Sequence, residues 1–258
     1  MSGTVKVERH GHVGTVVFDH EARRNAMTID MWDAVPDRCA ELADDDEIHV
    51  VVLRGAGETA FVAGADITQF EDRRPGGGGY DSATSAAFAA IENLPKPVVA
   101  MIHGFCIGGG LAIAAAADIR YAADDALFGL PPARLGIGYS PAGVGKLVDL
   151  VGPSITKEII YTAEWYDSAT ALRWGLINKV LPKADLDDFV FDQAAIMATR
   201  APLSQRAAKL AVADHLRPLE HRRSDEVAAA VAACQASEDY AEGVRAFMEK
   251  RPPVFKGR

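Results

Sequence analysis

The sequence has few cysteines and few aromatic residues, and its basic residues do not cluster. Its three cysteines, Cys39, Cys106 and Cys234, have neither metal-site spacing nor the even number of a disulfide framework. This pattern is typical of a reducing cytosol, so we expect a cytoplasmic protein. The 27 lysines and arginines are outnumbered by 36 aspartates and glutamates, which gives a net charge of −9 without a basic stripe. We therefore expect no nucleic-acid partner.

Long apolar runs and the common cofactor motifs are also missing. No stretch reaches the roughly 20 apolar residues that span a bilayer, and no secretory signal pattern is present, so we expect no membrane association. No G-x-G-x-x-G follows the first predicted strand, which argues against a dinucleotide site. The seven histidines form no pair at metal-binding spacing. The sequence thus predicts no metal and no resident cofactor.

About half of the 258 residues are apolar, enough for a sizeable core. Predicted strands and helices alternate through residues 1–195, and the chain from 196 to 258 is predicted to be helical. We therefore predict an α/β core followed by a helical C-terminal region. The glycine-rich tract Arg73–Gly79 is predicted to be a mobile surface loop, and no internal sequence repeat is visible.

The chain is organised around residues 101–121. An apolar run, 97–102, predicts a buried strand; Gly108-Gly109-Gly110 follows, and Leu111–Ala117 predicts a helix of small residues that is buried all round. The first N–H groups of a helix have no partner within it and favour negative charge. This joint therefore suits an oxyanion or a phosphate, or it is a tight turn that allows close packing.

Ser140 allows two interpretations. Gly138–Gly143 is close to the G-x-S-x-G nucleophile motif but one residue too long, with Pro141 in the turn. A serine hydrolase based on Ser140, with His215 or His221 as the base, is one hypothesis. The other is that Ser140 caps the helix that begins at Pro141.

Several motifs together resemble the crotonase (enoyl-CoA hydratase/isomerase) superfamily over the whole chain. They are Asn25-Ala26, the loop 61–67 (Phe-Val-Ala-Gly-Ala-Asp-Ile), Gly108–Gly110 followed by Ala117-Asp118-Ile119, Phe128–Pro131, Gly175–Asn178, and the tail from 237 to 251. The resemblance implies a ββα spiral core in residues 1–195. It also implies a helical oligomerisation region in 196–258 and a homotrimer or a dimer of trimers.

The resemblance further implies an acyl-CoA substrate, with CoA present only as part of that substrate. The backbone N–H groups of Ala65 and Gly109 would bind the thioester oxygen as an enolate forms. The positions that match CoA contacts in the family are Arg23, Arg24, Ala26, Ala63, Ala65, Asp66, Ile67, Thr68, Gly109, Phe247 and Lys250.

The chain departs from family hydratases at the two positions of their catalytic glutamates, where it has Ala112 and Pro132. Neither side chain transfers a proton, so ordinary hydration is in doubt. Tyr139 resembles the tyrosine of family decarboxylases that act on malonyl-type CoA thioesters, or it is an aromatic wall of the acyl pocket. Three hypotheses follow: a crotonase-type acyl-CoA enzyme, including such a decarboxylase; a catalytically silent CoA-thioester-binding protein; and the serine hydrolase.

Overall fold

The structure, a computed structural model, describes residues 3–66 and 79–258. Its strands are β1 (Thr4–His10), β2 (Val13–Asp19), β3 (Val50–Gly55), β4 (Ala60–Val62), β5 (Val98–Ile102), β6 (Phe105–Ile107), β7 (Ile119–Ala123), β8 (Leu127–Gly129), β9 (Tyr166–Asp167) and β10 (Lys179–Leu181). Its α-helices are α1 (Ile29–Ala43), α2 (Gly79–Glu92), α3 (Gly109–Ala116), α4 (Pro132–Leu135), α5 (Pro141–Thr162), α6 (Ser168–Arg173), α7 (Leu186–Ala198), α8 (Pro202–His215), α9 (Ser224–Gln235) and α10 (Glu238–Glu249).

The strands form two sheets. The larger has the order β1-β2-β3-β5-β7-β10, and all its pairs are parallel except the β1–β2 hairpin. The smaller has the order β4-β6-β8-β9, with β9 antiparallel to β8. Three times the chain passes from the larger sheet to the smaller and then into a helix: β3-β4-α2, β5-β6-α3 and β7-β8-α4. The fold is thus an α/β spiral of ββα units, although the sequence itself shows no repeat.

Both faces of the larger sheet are covered, as the apolar run of β3 predicts. Val51 and Leu53 face one core, which also holds apolar side chains of α1, α2, α3 and α5. Val50 and Val52 face a second core against α7. Helix α1 begins after Thr28, whose hydroxyl caps it by accepting a hydrogen bond from the N–H of Met31.

The path into the glycine joint differs from the predicted single strand. The larger-sheet strand ends at Ile102, and three further residues form β6 in the smaller sheet. Gly104 makes the change of sheet possible: its φ is +52°, and a Cβ there would lie 1.9 Å from the carbonyl oxygen of Thr59. Likewise β4 occupies Ala60–Val62, so the first two residues of the motif loop 61–67 belong to a strand. Each strand has only three residues, too few for a recognisable alternation.

The C-terminal region is helical, as predicted. After α10 the chain folds back along the helix, where the buried Asp239 carboxylate accepts hydrogen bonds from the N–H groups of Lys256 (2.7 Å) and Gly257 (2.8 Å). Glu242 pairs with Arg251 in the same segment. Among the described residues, no helix is both long and apolar enough to cross a membrane. The predicted mobile loop lies outside the described residues except for Gly79.

Candidate functional site

The parallel pairing of β4 with β6 brings two distant segments together. Ala60 is opposite Phe105 and Val62 is opposite Cys106, so the carboxyl ends of both strands lie side by side. The residues that follow them also meet. A Cβ on Gly108 would lie 3.7 Å from the Cα of Gly64, which places the two backbones in contact.

The N–H of Ala65 is directed by a backbone bridge to Met27. The Met27 N–H donates to the Gly64 carbonyl at 2.8 Å, and the Asp66 N–H donates to the Met27 carbonyl at 2.9 Å. In a parallel bridge of this kind, the residue between the two bonded groups directs its own N–H to the opposite edge. No acceptor for the Ala65 N–H occurs among the described residues.

The N–H of Gly109 is the first of helix α3 and has no partner within the helix, because the first helical bond runs from Ala112 N–H to Gly108 C=O at 3.2 Å. Gly108 has φ +58°, which suits glycine. Trp32 supports this turn: a Cβ on Gly109 would lie 2.9 Å from its ring. The N–H groups of Ala65 and Gly109 therefore occupy adjoining backbone segments, and neither has an acceptor in the described part of the chain.

Solvent reaches α3 along one narrow stripe. Ala112 is the only residue from 110 to 117 that is not buried, and Gly109, one turn before it, is also partly accessible. Ala65 and Asp66 are half-buried at the adjoining strand end. Among these described residues, the partly accessible side chains are therefore the methyl groups of Ala65 and Ala112 and the carboxylate of Asp66.

A third segment, after β8, completes the surroundings. The Gly129 carbonyl accepts a hydrogen bond from the Gly108 N–H at 2.8 Å, which ties this segment to the glycine turn. Pro132 begins α4 and is buried. Tyr139 is half-buried and packs on the main core, with its ring against Gly143 at the start of α5. The Ser140 hydroxyl accepts a hydrogen bond from the Gly143 N–H at 3.2 Å, which is the capping role that the second interpretation predicted.

The two arginines of the preceding turn are exposed, and neither forms an ion pair with another described residue. Arg24 lies with its guanidinium 4.4 Å from the ring centre of Phe105, and its carbonyl accepts a hydrogen bond from the Ala63 N–H at 3.1 Å. Arg23 and the half-buried Ala26 belong to the same turn. Two guanidinium groups therefore lie in the turn that adjoins the Ala65 segment, together with the carboxylate of Glu21 in that turn and of Asp66 beside Ala65.

The other predicted CoA contacts are not brought to this place. Phe247 is 82% exposed on α10, and Lys250 ends that helix with φ +54°. Within the described residues, no hydrogen bond or ion pair joins α10 to the segment that carries Ala65. Ile67 and Thr68 lie outside the described residues.

Comparisons with known proteins identify the family of this chain. The family model described as enoyl-CoA hydratase/isomerase matches residues 8–258. This chain belongs to that family. It is 33% identical to a short-chain-enoyl-CoA hydratase of Clostridium acetobutylicum over 256 aligned residues, and this alignment covers 98% of each chain. It is 34% identical to a carnitinyl-CoA dehydratase of Salmonella enteritidis over the full length of both.

Solved structures show the family's fold in this chain. An enoyl-CoA hydratase/carnithine racemase from Magnetospirillum magneticum has a TM-score of 0.92 at 31% identity, and the match covers 100% of this chain and 97% of that one. An enoyl-CoA hydratase from Bacillus anthracis has a TM-score of 0.91 at 29% identity, with coverage of 99% and 100%. The predicted crotonase-type α/β fold with a helical C-terminal region is therefore confirmed.

One buried residue of this family member was missed by the sequence analysis. Arg120 is 5% exposed, and its guanidinium donates to the carbonyls of Ala117 (2.6 Å), Leu176 (2.8 Å) and Ala114 (3.3 Å). Burial lowers its pKa. Two of these carbonyls belong to the C-terminal end of α3, where a cation is favourable. An arginine within a short apolar strand was the only available signal.

Proposed function

We propose that this protein is an enzyme that acts on an acyl-CoA thioester through an enolate held by the N–H groups of Ala65 and Gly109. The observation that supports the proposal is that the backbone segments carrying these two donors adjoin at the ends of β4 and β6, with no acceptor for either N–H among the described residues. Fixed donors stabilise an oxyanion without reorganising, and the loss of one typically costs about 3 kcal/mol of transition-state stabilisation. The hydratase and dehydratase relatives, both named for CoA thioesters, support the substrate class.

The CoA part would bind across the turn 23–26 and the segment from Ala63 to Thr68. Two exposed arginines without ion-pair partners in the described residues suit the phosphates of CoA. The half-buried residues Ala63, Ala65 and Asp66 leave the thioester access to the donors. We assign Phe247 and Lys250 to the CoA surface as well. Both residues belong to α10, which shares no hydrogen bond or ion pair with the Ala65 segment among the described residues. They can therefore contact CoA only where α10 of this subunit or of another one lies against the bound molecule.

The residues at positions 112 and 132 bear on which reaction the enzyme catalyses. Ala112 faces the accessible stripe of α3, where the resemblance places one hydratase glutamate, and Pro132 replaces the other. Since neither residue moves a proton, the usual hydration lacks its acid and base. Decarboxylation of a malonyl-type CoA needs neither: the C–C bond electrons pass into the enolate, carbon dioxide leaves, and the α-carbon takes a proton from solvent. In this alternative Tyr139 would orient the departing carboxylate.

The first experiment follows crotonyl-CoA and methylmalonyl-CoA by mass after incubation with the protein. Loss of carbon dioxide that Tyr139→Phe abolishes would support the decarboxylase. The matched control is Tyr121→Phe, because Tyr121 packs on Phe189 at the opposite face of the larger sheet. Addition of water to crotonyl-CoA would contradict the argument from the missing glutamates. Binding of both thioesters without conversion would favour the catalytically silent protein, and activity on simple esters lost in Ser140→Ala would favour the hydrolase.

We also propose that the chain assembles as a homotrimer or a dimer of trimers through residues 196–258. Four large apolar side chains are exposed on α10, and an apolar cavity of about 430 Å³ lies between α8, α9, α10 and the tail. The four are Tyr240, Val244, Phe247 and Met248. Sedimentation of Met248→Glu, compared with Tyr161→Glu on α5 as the equally exposed control, tests this proposal. An unchanged mass for both variants would count against this interface.

A further inference from the structure

Asn25 stands outside the accessible site, yet its side chain is fully engaged. It is 1% exposed, and all three of its hydrogen bonds go to backbone groups. Its Oδ1 accepts from the His20 N–H at 3.0 Å, and its Nδ2 donates to the carbonyls of Ala56 (3.0 Å) and Ala60 (2.8 Å). The amide therefore joins the turn after β2 to both ends of the connection between β3 and β4.

The backbone at Asn25 has a left-handed conformation, which directs the side-chain amide toward these three backbone groups. Its φ is +57°, in the left-handed region that asparagine tolerates better than most residues. Arg24, with φ +53°, shares this conformation, so the chain reverses sharply here. The turn is closed by the Asn25 N–H, which donates to the His20 carbonyl at 2.9 Å, and by His20 Nδ1, which donates to the Ala26 carbonyl at 2.9 Å.

The neighbouring strand end makes room for the amide. Gly55 ends β3, and a Cβ there would lie 2.4 Å from Asn25 Nδ2 and 2.2 Å from the Ala60 carbonyl oxygen. Any other residue at position 55 would displace the amide or the start of β4. Glycine at 55 and asparagine at 25 thus form one packed unit beneath β4.

From this unit the chain leads directly to the Ala65 donor. Two residues after Asn25, Met27 makes the bridge that directs the Ala65 N–H, and the Arg24 carbonyl holds the N–H of Ala63. The segment 60–66 is therefore attached to the turn 20–27 at Ala60, Ala63, Gly64 and Asp66. A shift of the turn would carry the Ala65 N–H with it.

We infer that Asn25, held by the turn of residues 20–27, is a positioning residue for the Ala65 N–H. The inference rests on the proposed function, in which that N–H polarises the thioester carbonyl. Asn25 touches no substrate in this account. Its role is to hold the donor at the distance and angle that the oxyanion requires, because hydrogen bonds weaken steeply with misalignment.

The test measures carbonyl polarisation directly, with [1-¹³C]butyryl-CoA as an unreactive probe and infrared difference spectra. A hydrogen-bonded carbonyl stretches at lower frequency, so wild-type protein should shift the band downward on binding. Asn25→Gly keeps the left-handed backbone and removes all three side-chain bonds, and Asn25→Asp keeps the shape and loses the two amide donors. We expect each to lose more than half of the shift, while the dissociation constant for the probe changes by less than about threefold.

The control is Ser168→Ala, which removes another buried hydrogen bond, to the Asp124 carbonyl at 2.9 Å, away from the donors. It should keep the full shift even if it lowers the melting temperature as much as the Asn25 variants do. If neither Asn25 variant folds, the test uses His20→Phe, which loses only the side-chain hydrogen bond to the Ala26 carbonyl. We expect this variant to lose part of the carbonyl shift.

The outcomes separate the two proposals. A full wild-type shift in a folded Asn25 variant, or in His20→Phe when that variant has to decide, would overturn the positioning role and leave the donors in place. A wild-type protein that binds the probe without any shift would overturn the proposed function itself. Loss of the shift in the Asn25 variants but not in Ser168→Ala would support both.

Discussion

Replacing Gly110 by alanine puts a methyl group where the structure has no space. Gly110 is buried in the first turn of α3, and a Cβ there would lie 2.0 Å from the carbonyl oxygen of Val62 on β4. Ordinary van der Waals contact begins at 3.4 Å, so α3 and β4 would have to separate by roughly 1.4 Å. Overpacking of this kind costs about 1–3 kcal/mol of the free energy of unfolding.

The same displacement would separate the two proposed donors, because Gly109 begins α3 and Ala65 follows β4. A misplacement of about 1 Å can cost on the order of a hundredfold in rate. We therefore expect Gly110→Ala to unfold at lower urea concentration and to shift the carbonyl band of bound [1-¹³C]butyryl-CoA less than wild type.

Gly145→Ala is the matched control. Gly145 lies in α5, and a Cβ there would meet open space, so alanine should raise the free energy of unfolding by about 0.5–1 kcal/mol. A Gly110→Ala protein as stable as Gly145→Ala, with the full carbonyl shift, would refute the packing argument.

Four further predictions follow from single contacts. Arg120→Met removes the guanidinium that bonds three carbonyls, of which, among the described residues, only that of Ala114 keeps another donor, the Ala117 N–H, and it should lower the free energy of unfolding by about 3 kcal/mol in urea titrations; a loss below about 1 kcal/mol would contradict the assigned contacts. Thr28→Ala removes the cap of α1 and should cost about 1 kcal/mol in the same titration, whereas Thr28→Ser should cost little. Arg251 lowers the pKa of Glu242 from 4.5 to about 2, so this contact stabilises the tail above pH 4.5 and is lost as the pH falls from 4.5 to about 2. Amide hydrogen exchange at Val254, whose N–H donates to Glu242, should quicken in that window in wild type and, once corrected for intrinsic rates, change less with pH in Glu242→Gln. Arg24→Gln should weaken binding of CoA thioesters in a salt-dependent way but leave binding of phosphate-free pantetheine thioesters unchanged.

Long, strongly patterned elements could be predicted from the sequence. The buried helix α3 was recognisable because Leu111–Ala117 contains only alanine, leucine and isoleucine, a composition that tolerates burial on every side. Helix α5 breaks at Gly152, where φ is +77°, and the Gly152-Pro153 pair is a sequence that favours such a break. Both features depend on residues that are adjacent in the sequence.

Features that depend on distant partners were not predictable. The change of sheet needs glycine at position 104, because a Cβ there would collide with the carbonyl oxygen of Thr59, which lies 45 residues earlier in the sequence. Likewise, the Asn25 Nδ2 donates to the carbonyls of Ala56 and Ala60, which lie 31 and 35 residues later, so these two contacts were not predictable from the residues around Asn25. The pairing of β4 with β6, which brings Ala65 to Gly109, involves strands of three residues whose sequence pattern is too short to detect.

The proposed function requires the N–H groups of Ala65 and Gly109 to bind one thioester oxygen. A crystal structure of the protein with butyryl-CoA tests it most directly. We predict the thioester oxygen about 2.7–3.1 Å from both nitrogen atoms, with the CoA phosphates toward the turn that carries Arg23 and Arg24. A thioester oxygen that contacts neither nitrogen, in a complex with clear density for the acyl group, would contradict the account.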